Sequence, residues 1–224
     1  MKGRSFFSLL CAALLALGWI CAGVLLPALD SGRFAAALEK YVQVLGLDKE
    51  DKAAFAQGTL DYLTGKSADW AVEEALAGAG IPVSEAFRNH MEEMRHFVRL
   101  GRGICHFSLT AGAGLGLFLL LSGMKPSRKG WFLGLLLWPG IALCAGVWCL
   151  VDFSGFWGTL HRVFIPGGIF SSSEPLMKLF PLPLFGSYLP AVLGITLPGL
   201  ALLGFSPLVK CSRKSQSHEK EREA

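Results

Sequence analysis

The chain has 224 residues, 52% of them hydrophobic, with 21 Lys and Arg against 17 Asp and Glu and a formal net charge of +4. The apolar residues gather in a few long blocks, which excludes an ordinary soluble domain built around one core. The positive residues sit beside those blocks, so no nucleic-acid role is indicated.

The first block, residues 6–26, follows Lys2 and Arg4 and is long enough to cross a bilayer. No small-residue cleavage pattern follows it, so residues 1–29 read as an uncleaved first transmembrane helix. Cys21 has the bulky Ile20 before it, and reads as a membrane-helix residue and not as a lipidation site. Pro27, Asp30, Ser31 and Gly32 then break the run, and residues 30–102 read as a helical domain. In it Phe34, Leu38, Tyr41, Val42 and Leu45 recur at helical spacing. Asp48 is placed to cap a second helix, with Phe55, Thr59, Tyr62 and Leu63 as its stripe and Gly65 as its stop. Gly78, Gly80 and Pro82 precede a third helix over 84–100, with Ser84 as N-cap and Phe87, Met91, Met94 and Val98 as its apolar stripe. His90 lies on the flank of that stripe, where a lone histidine is more often a satisfied structural residue than a chemical one.

Residues 103–124 form the second span, and its Gly112-Ala113-Gly114-Leu115-Gly116 run reads as close helix packing, since no strand precedes it as a phosphate loop would require. A short basic loop over 125–130 leads to a third span over 131–151, a long loop over 152–183, a fourth span over 184–209 and a polar tail over 210–224, expected to be disordered. Pro139, Pro190 and Pro198 predict kinks. Lys2 and Arg4, then Lys125, Arg128 and Lys129, then Lys210, Arg213 and Lys214 alternate with the spans, which places these three segments in the cytoplasm and residues 30–102 and 152–183 outside. Arg95, Arg99 and Arg102 run against that rule at the end of a long outer segment. Of six cysteines, Cys105 and Cys149 fall near the outer face; they read as small buried residues, with a bridge between them left open. The fold class is therefore all-α: a polytopic membrane protein with four transmembrane helices and a helical extracytoplasmic domain between the first and second spans.

The 152–183 loop keeps Phe153, Phe156, Trp157, Phe164 and Phe170 together with Asp152, His161, Arg162 and Glu174. Aromatic residues at a bilayer surface are commonly anchors, and that reading stands beside a functional one. Two histidines, His90 and His161, fall on the outer side close to the bilayer, with Glu93, Asp152 and Glu174 as acidic neighbours. Histidine titrates near neutral pH and is suited to moving a proton either way. A metal site on His90, Glu93 and His161 is disfavoured, because neither an H-E-x-x-H pattern nor a dense ligand cluster is present. A G-x-S-x-G elbow is also missing, and the scarcity of charge within the spans argues against an ion or proton transporter.

Taken in order, these pieces resemble the bacterial lipoprotein intramolecular transacylase family of small four-span membrane proteins. The resemblance is carried by His90-Met91-x-x-Met94-Arg95, by Asp152-Phe153-x-x-Phe156 leading to Leu160-His161-Arg162-x-Phe164, by Glu174-Pro175-Leu176-Met177 and by Phe180-Pro181-x-x-Leu184-Phe185. The chain departs from the family pattern at Leu160, at Glu93-Met94 and at the Gly167 to Ser171 stretch, while both histidines keep their places. The resemblance implies movement of the sn-2 acyl chain of a diacylglyceryl lipoprotein to the α-amino group of its own N-terminal cysteine. It implies His90 and His161 as catalytic residues sharing one cavity, with His96 and His106 outside it. Asp152, Phe153, Phe156, Arg162, Phe164 and Glu174 are the implied substrate-binding residues. It implies no cofactor and no metal, a lipidated lipoprotein and membrane lipid as partners, and a monomer in the bacterial cytoplasmic membrane with its active face outside. The alternative is a non-catalytic membrane protein whose outer domain binds a lipid or protein partner; only an enzyme must bring both histidines to one lipid-accessible opening.

Overall fold

The computed structural model describes the backbone of residues 2–42, 47–70, 72–78, 83–164 and 180–220; within these, the side chains of residues 2, 74, 75, 78, 157, 161, 182 and 206–220 lie outside the description. The described residues form nine helices and no strand: α1 (Lys2–Ala28), α2 (Ser31–Tyr41), α3 (Lys49–Thr64), α4 (Val72–Gly78), α5 (Glu85–Leu121), α6 (Arg128–Val151), α7 (Phe153–Phe164), α8 (Leu182–Gly186) and α9 (Leu189–Lys220). Four segments, Gly3–Ala28, Glu85–Leu121, Arg128–Val151 and Pro183–Phe205, are long and apolar enough to cross a membrane. The chain divides into two compact units, one of Met1–Ala22, Ile104–Gly146 and Gly194–Ala224, the other of Gly23–Gly103 and Val147–Leu193.

The first unit packs as membrane helices do, by close backbone approach at small residues and by hydrogen bonds to carbonyls. A Cβ added at Gly130 or Gly134 of α6 would strike the carbonyl oxygen of Ser5 or Leu9 in α1, and one added at Gly112 of α5 would come within 2.9 Å of Leu15. The Trp138 indole N–H donates to the Ala13 carbonyl at 2.9 Å, and that of Trp131 donates to the Leu203 carbonyl at 2.9 Å. Leu203 is four residues before Pro207, which has no N–H to offer its carbonyl, and the indole supplies a donor there.

The second unit is a small helical domain with legible ends. Asp30 accepts the Arg33 N–H at 3.0 Å to begin α2, Asp48 and Asp51 close a capping box on α3, and Ser84 accepts the Phe87 N–H at 3.2 Å to begin α5. Gly65 ends α3 in the left-handed region at φ 80°, where a side chain would be strained. Phe34, Leu38, Phe55, Leu60, Trp70 and Phe87 make its core. Phe180 inserts among Phe34, Phe55 and Phe87 with ring centroids 6.3, 6.2 and 6.2 Å away. Arg95 of α5 donates to the carbonyls of Ser67 and Ala68 at 3.0 Å each and lies over the Tyr62 ring at 4.7 Å, while Arg102 donates to the Thr64 carbonyl at 3.2 Å. Two of the arginines that run against the charge rule therefore cap the end of α3 and the turn after it.

Several elements differ from the sequence expectation. α5 runs unbroken from Glu85 to Leu121, joining the helix expected over 84–100 to the expected second span through Gly101 and Gly103. Glycine weakens a helix by only about 1 kcal/mol, which the flanking residues of a 37-residue helix absorb. The loop after α6 contains a helix, α7, whose start is set by Asp152. The fourth span opens with the short α8 and a turn at Ser187 before α9, which puts Pro190 in the first turn of that helix, where its missing N–H costs nothing. The backbone of the tail is helical through Lys220 rather than disordered. Cys105 and Cys149 are both free thiols.

Candidate functional site

Within the second unit lies a cavity of about 490 Å³. Its described wall is apolar except for three side chains, Thr59, His90 and Tyr188. The Thr59 hydroxyl is already engaged, since it accepts the Trp70 indole N–H at 3.2 Å. A cavity of this size with a hydrocarbon wall and few polar groups is suited to a long apolar ligand carrying one polar end.

α5 supplies the site's long wall. Phe87, Met91, Met94 and Val98 recur at helical spacing, and His90, three residues after Phe87 and four before Met94, shares their face. The imidazole is half-buried with its Nδ1 shielded from solvent, and its ring lies 6.1 Å from that of Phe87 at an interplanar angle of 57°. Opposite contributions come from Val24, Leu25 and Ala28 of α1, from Leu60 and Leu63 of α3, and from Phe180, Leu184 and Tyr188 around α8.

The other expected site residues are distributed differently. His161 belongs to α7, directly after Leu160, which lines the cavity; the His161 side chain lies outside the described residues. Glu174 lies outside them altogether. Asp152 is exposed, and its carboxylate accepts the Gly155 N–H at 2.9 Å, so it caps α7; a Cβ at residue 155 would collide with that carboxylate. Phe156 packs edge-on against Trp148 at 5.6 Å, and Phe164 against Phe97 at 6.1 Å. Phe153 and Arg162 are exposed. None of Asp152, Phe153, Phe156, Arg162 and Phe164 is on the described cavity wall. His96 and His106 are exposed and are not on it either. Among the described residues, no three of His, Cys, Asp and Glu come together as metal ligands would.

Two wall residues escaped sequence reasoning. Phe180 was visible only as part of a Phe-Pro pair, and its insertion into the α2, α3 and α5 rings is a long-range event. Tyr188 follows Gly186 and Ser187 in a turn, with no local pattern to mark it.

The fold resembles solved structures of the membrane integral lipoprotein intramolecular transacylase Lit from Bacillus cereus. One, of a form with a histidine-to-arginine mutation, aligns with a TM-score of 0.78 at 12% identity, covering 96% of this chain and 95% of that one. A second structure of Lit aligns with a TM-score of 0.71 at 13% identity, covering 100% and 99%. No protein-family model matches the chain, and no curated protein matches it by sequence. At such identity the likeness establishes a shared fold across nearly the whole of both chains.

Proposed function

We propose that this chain is a membrane acyltransferase that moves the sn-2 acyl chain of a diacylglyceryl lipoprotein to the α-amino group of that lipoprotein's own N-terminal cysteine, leaving an N-acyl lyso-form. The observation that carries the reading is His90, an imidazole on the wall of a largely apolar cavity, in a fold shared with a lipoprotein intramolecular transacylase.

The chemistry follows from what the reaction requires. An α-amino group with a pKa of about 7.7–8.0 is largely protonated at neutral pH and attacks only after losing a proton. A histidine, at about 6.5, can take that proton and return it to the departing glyceryl oxygen. His90 and His161 are the proposed pair, one as base and the other as donor to the oxyanion. Arg162 and the Gly167 and Gly168 amides are further candidate donors. Amine and ester belong to one molecule, so holding it folded back on itself lowers much of the barrier, and neither metal nor acyl carrier is required. Asp152, Phe153, Phe156, Phe164 and Glu174 would receive the lipoprotein's polar end and second chain, Asp152 by way of the helix it caps. The active face would lie outside the bacterial cytoplasmic membrane, with the monomer as the working unit and membrane lipid as its surroundings.

The test is mass spectrometry of lipoprotein N-termini from a host that lacks lyso-form synthesis, with and without this gene. The expected result is conversion of diacylglyceryl cysteine with a free amine into N-acyl monoacylglyceryl cysteine. Unchanged N-termini in the presence of inserted protein would remove the transacylase reading and leave a lipid-binding membrane protein.

A further inference from the structure

We infer that the cavity is a site for an acyl chain, and that Leu63 and Val98, where α1 and α3 approach α5, set which chain lengths the protein accepts. The inference rests on the transacylase reading for its consequence in the product, and on the geometry of the cavity alone for its ligand.

A cavity of about 490 Å³ has room for an acyl chain. The wall decides the class of ligand. It presents no carboxylate, amine or guanidinium among the described residues, and most of it would leave a polar group unpaired. Its two methionines, Met91 and Met94, are unbranched and adaptable, as a wall receiving a flexible chain requires.

Two contacts narrow one end. Val98 lies eight residues beyond His90, about 12 Å along α5 at 1.5 Å per residue. Just past Val98, a Cβ built on Gly101 would lie 3.8 Å from Leu25, so α1 and α5 pass close together there. Just past Leu63, the Arg102 guanidinium donates to the Thr64 carbonyl at 3.2 Å, so α3 and α5 meet there as well. A long chain whose ester carbonyl lies beside His90 and which runs toward this end reaches Leu63 and Val98 before it ends.

Enlarging the end residues should shorten the accepted chain. In the host lacking lyso-form synthesis, Val98→Phe and Leu63→Phe are expected to shift the N-acyl group of the product toward shorter chains, by about tenfold in the ratio of adjacent lengths. Val98→Ala should shift it toward longer ones. A second measurement does not depend on turnover: an 18-carbon fluorescent fatty acid titrated into purified full-length His90→Ala protein should bind, and Val98→Phe in that background should weaken it more than an 8-carbon analogue. An unchanged product distribution in all three variants, no binding, or equal weakening of both lengths would overturn the inference. Wild type that binds the chain yet makes no lyso-form would instead remove the transacylase reading and leave the acyl-chain site standing.

Discussion

Phe87 and His90 stand one turn apart on α5, with ring centroids 6.1 Å apart and planes inclined at 57°. Phe87 is 1% exposed and stacks on Trp70 at 5.7 Å and on Phe180 at 6.2 Å, so the residue beside the imidazole is gripped by two other stretches of chain. Phe87→Ala is expected to destabilise the protein by about 3–5 kcal/mol, as truncating a buried aromatic does. Thermal unfolding in detergent checks this, and an unchanged midpoint would show that the aromatic cluster does not hold the cavity wall.

Asp152 has two roles to separate. As the cap of α7 it contributes about 1 kcal/mol, and asparagine caps equally well. Asp152→Asn should therefore keep both stability and acyl transfer, while Asp152→Ala loses stability by that amount. A large loss of activity per folded molecule in Asp152→Asn would instead mean that the carboxylate charge acts on the substrate.

Arg95 joins α5 to the turn after α3 through two carbonyls and the Tyr62 face. A planar fork stacked on a ring is not replaced by an ammonium. Arg95→Lys is expected to cost about 1–3 kcal/mol, the scale of charged hydrogen bonds, read from the same unfolding midpoint. Retention of full stability by the lysine variant would show that charge alone suffices there.

The basic segments at Lys2, Arg4 and residues 125–129 predict an outer location for α3 and its C-terminal turn. Lys66→Cys in intact cells should react with an impermeant maleimide above the wild-type background. Labelling that appears only after the membrane is broken would reverse the orientation.

Local chemistry made much of this legible. Asp48, Gly65 and Ser84 act within a few residues of themselves, and each occupies the cap or stop its type suggests. The stripe from Phe87 to Val98 fixed the face of α5 that borders the cavity, and the apolar blocks fixed the four membrane-length helices. Contacts distant in sequence were not legible. Phe180 and Tyr188 reach the wall through tertiary packing, the continuity of α5 past two glycines depends on its neighbours, and the capping role of Asp152 was hidden because α7 was read as a loop.

The most direct test of the account measures N-acyl lyso-form produced per amount of detergent-extracted, monodisperse protein for His90→Ala, His161→Ala and His96→Ala. Loss of a general base lowers rates by about 10²–10⁴-fold and loss of an oxyanion donor by about 10²–10³-fold. The account predicts deficits of that size for His90→Ala and His161→Ala, with both proteins still inserted and folded, and near wild-type output from His96→Ala. Similar output from all three variants would contradict it.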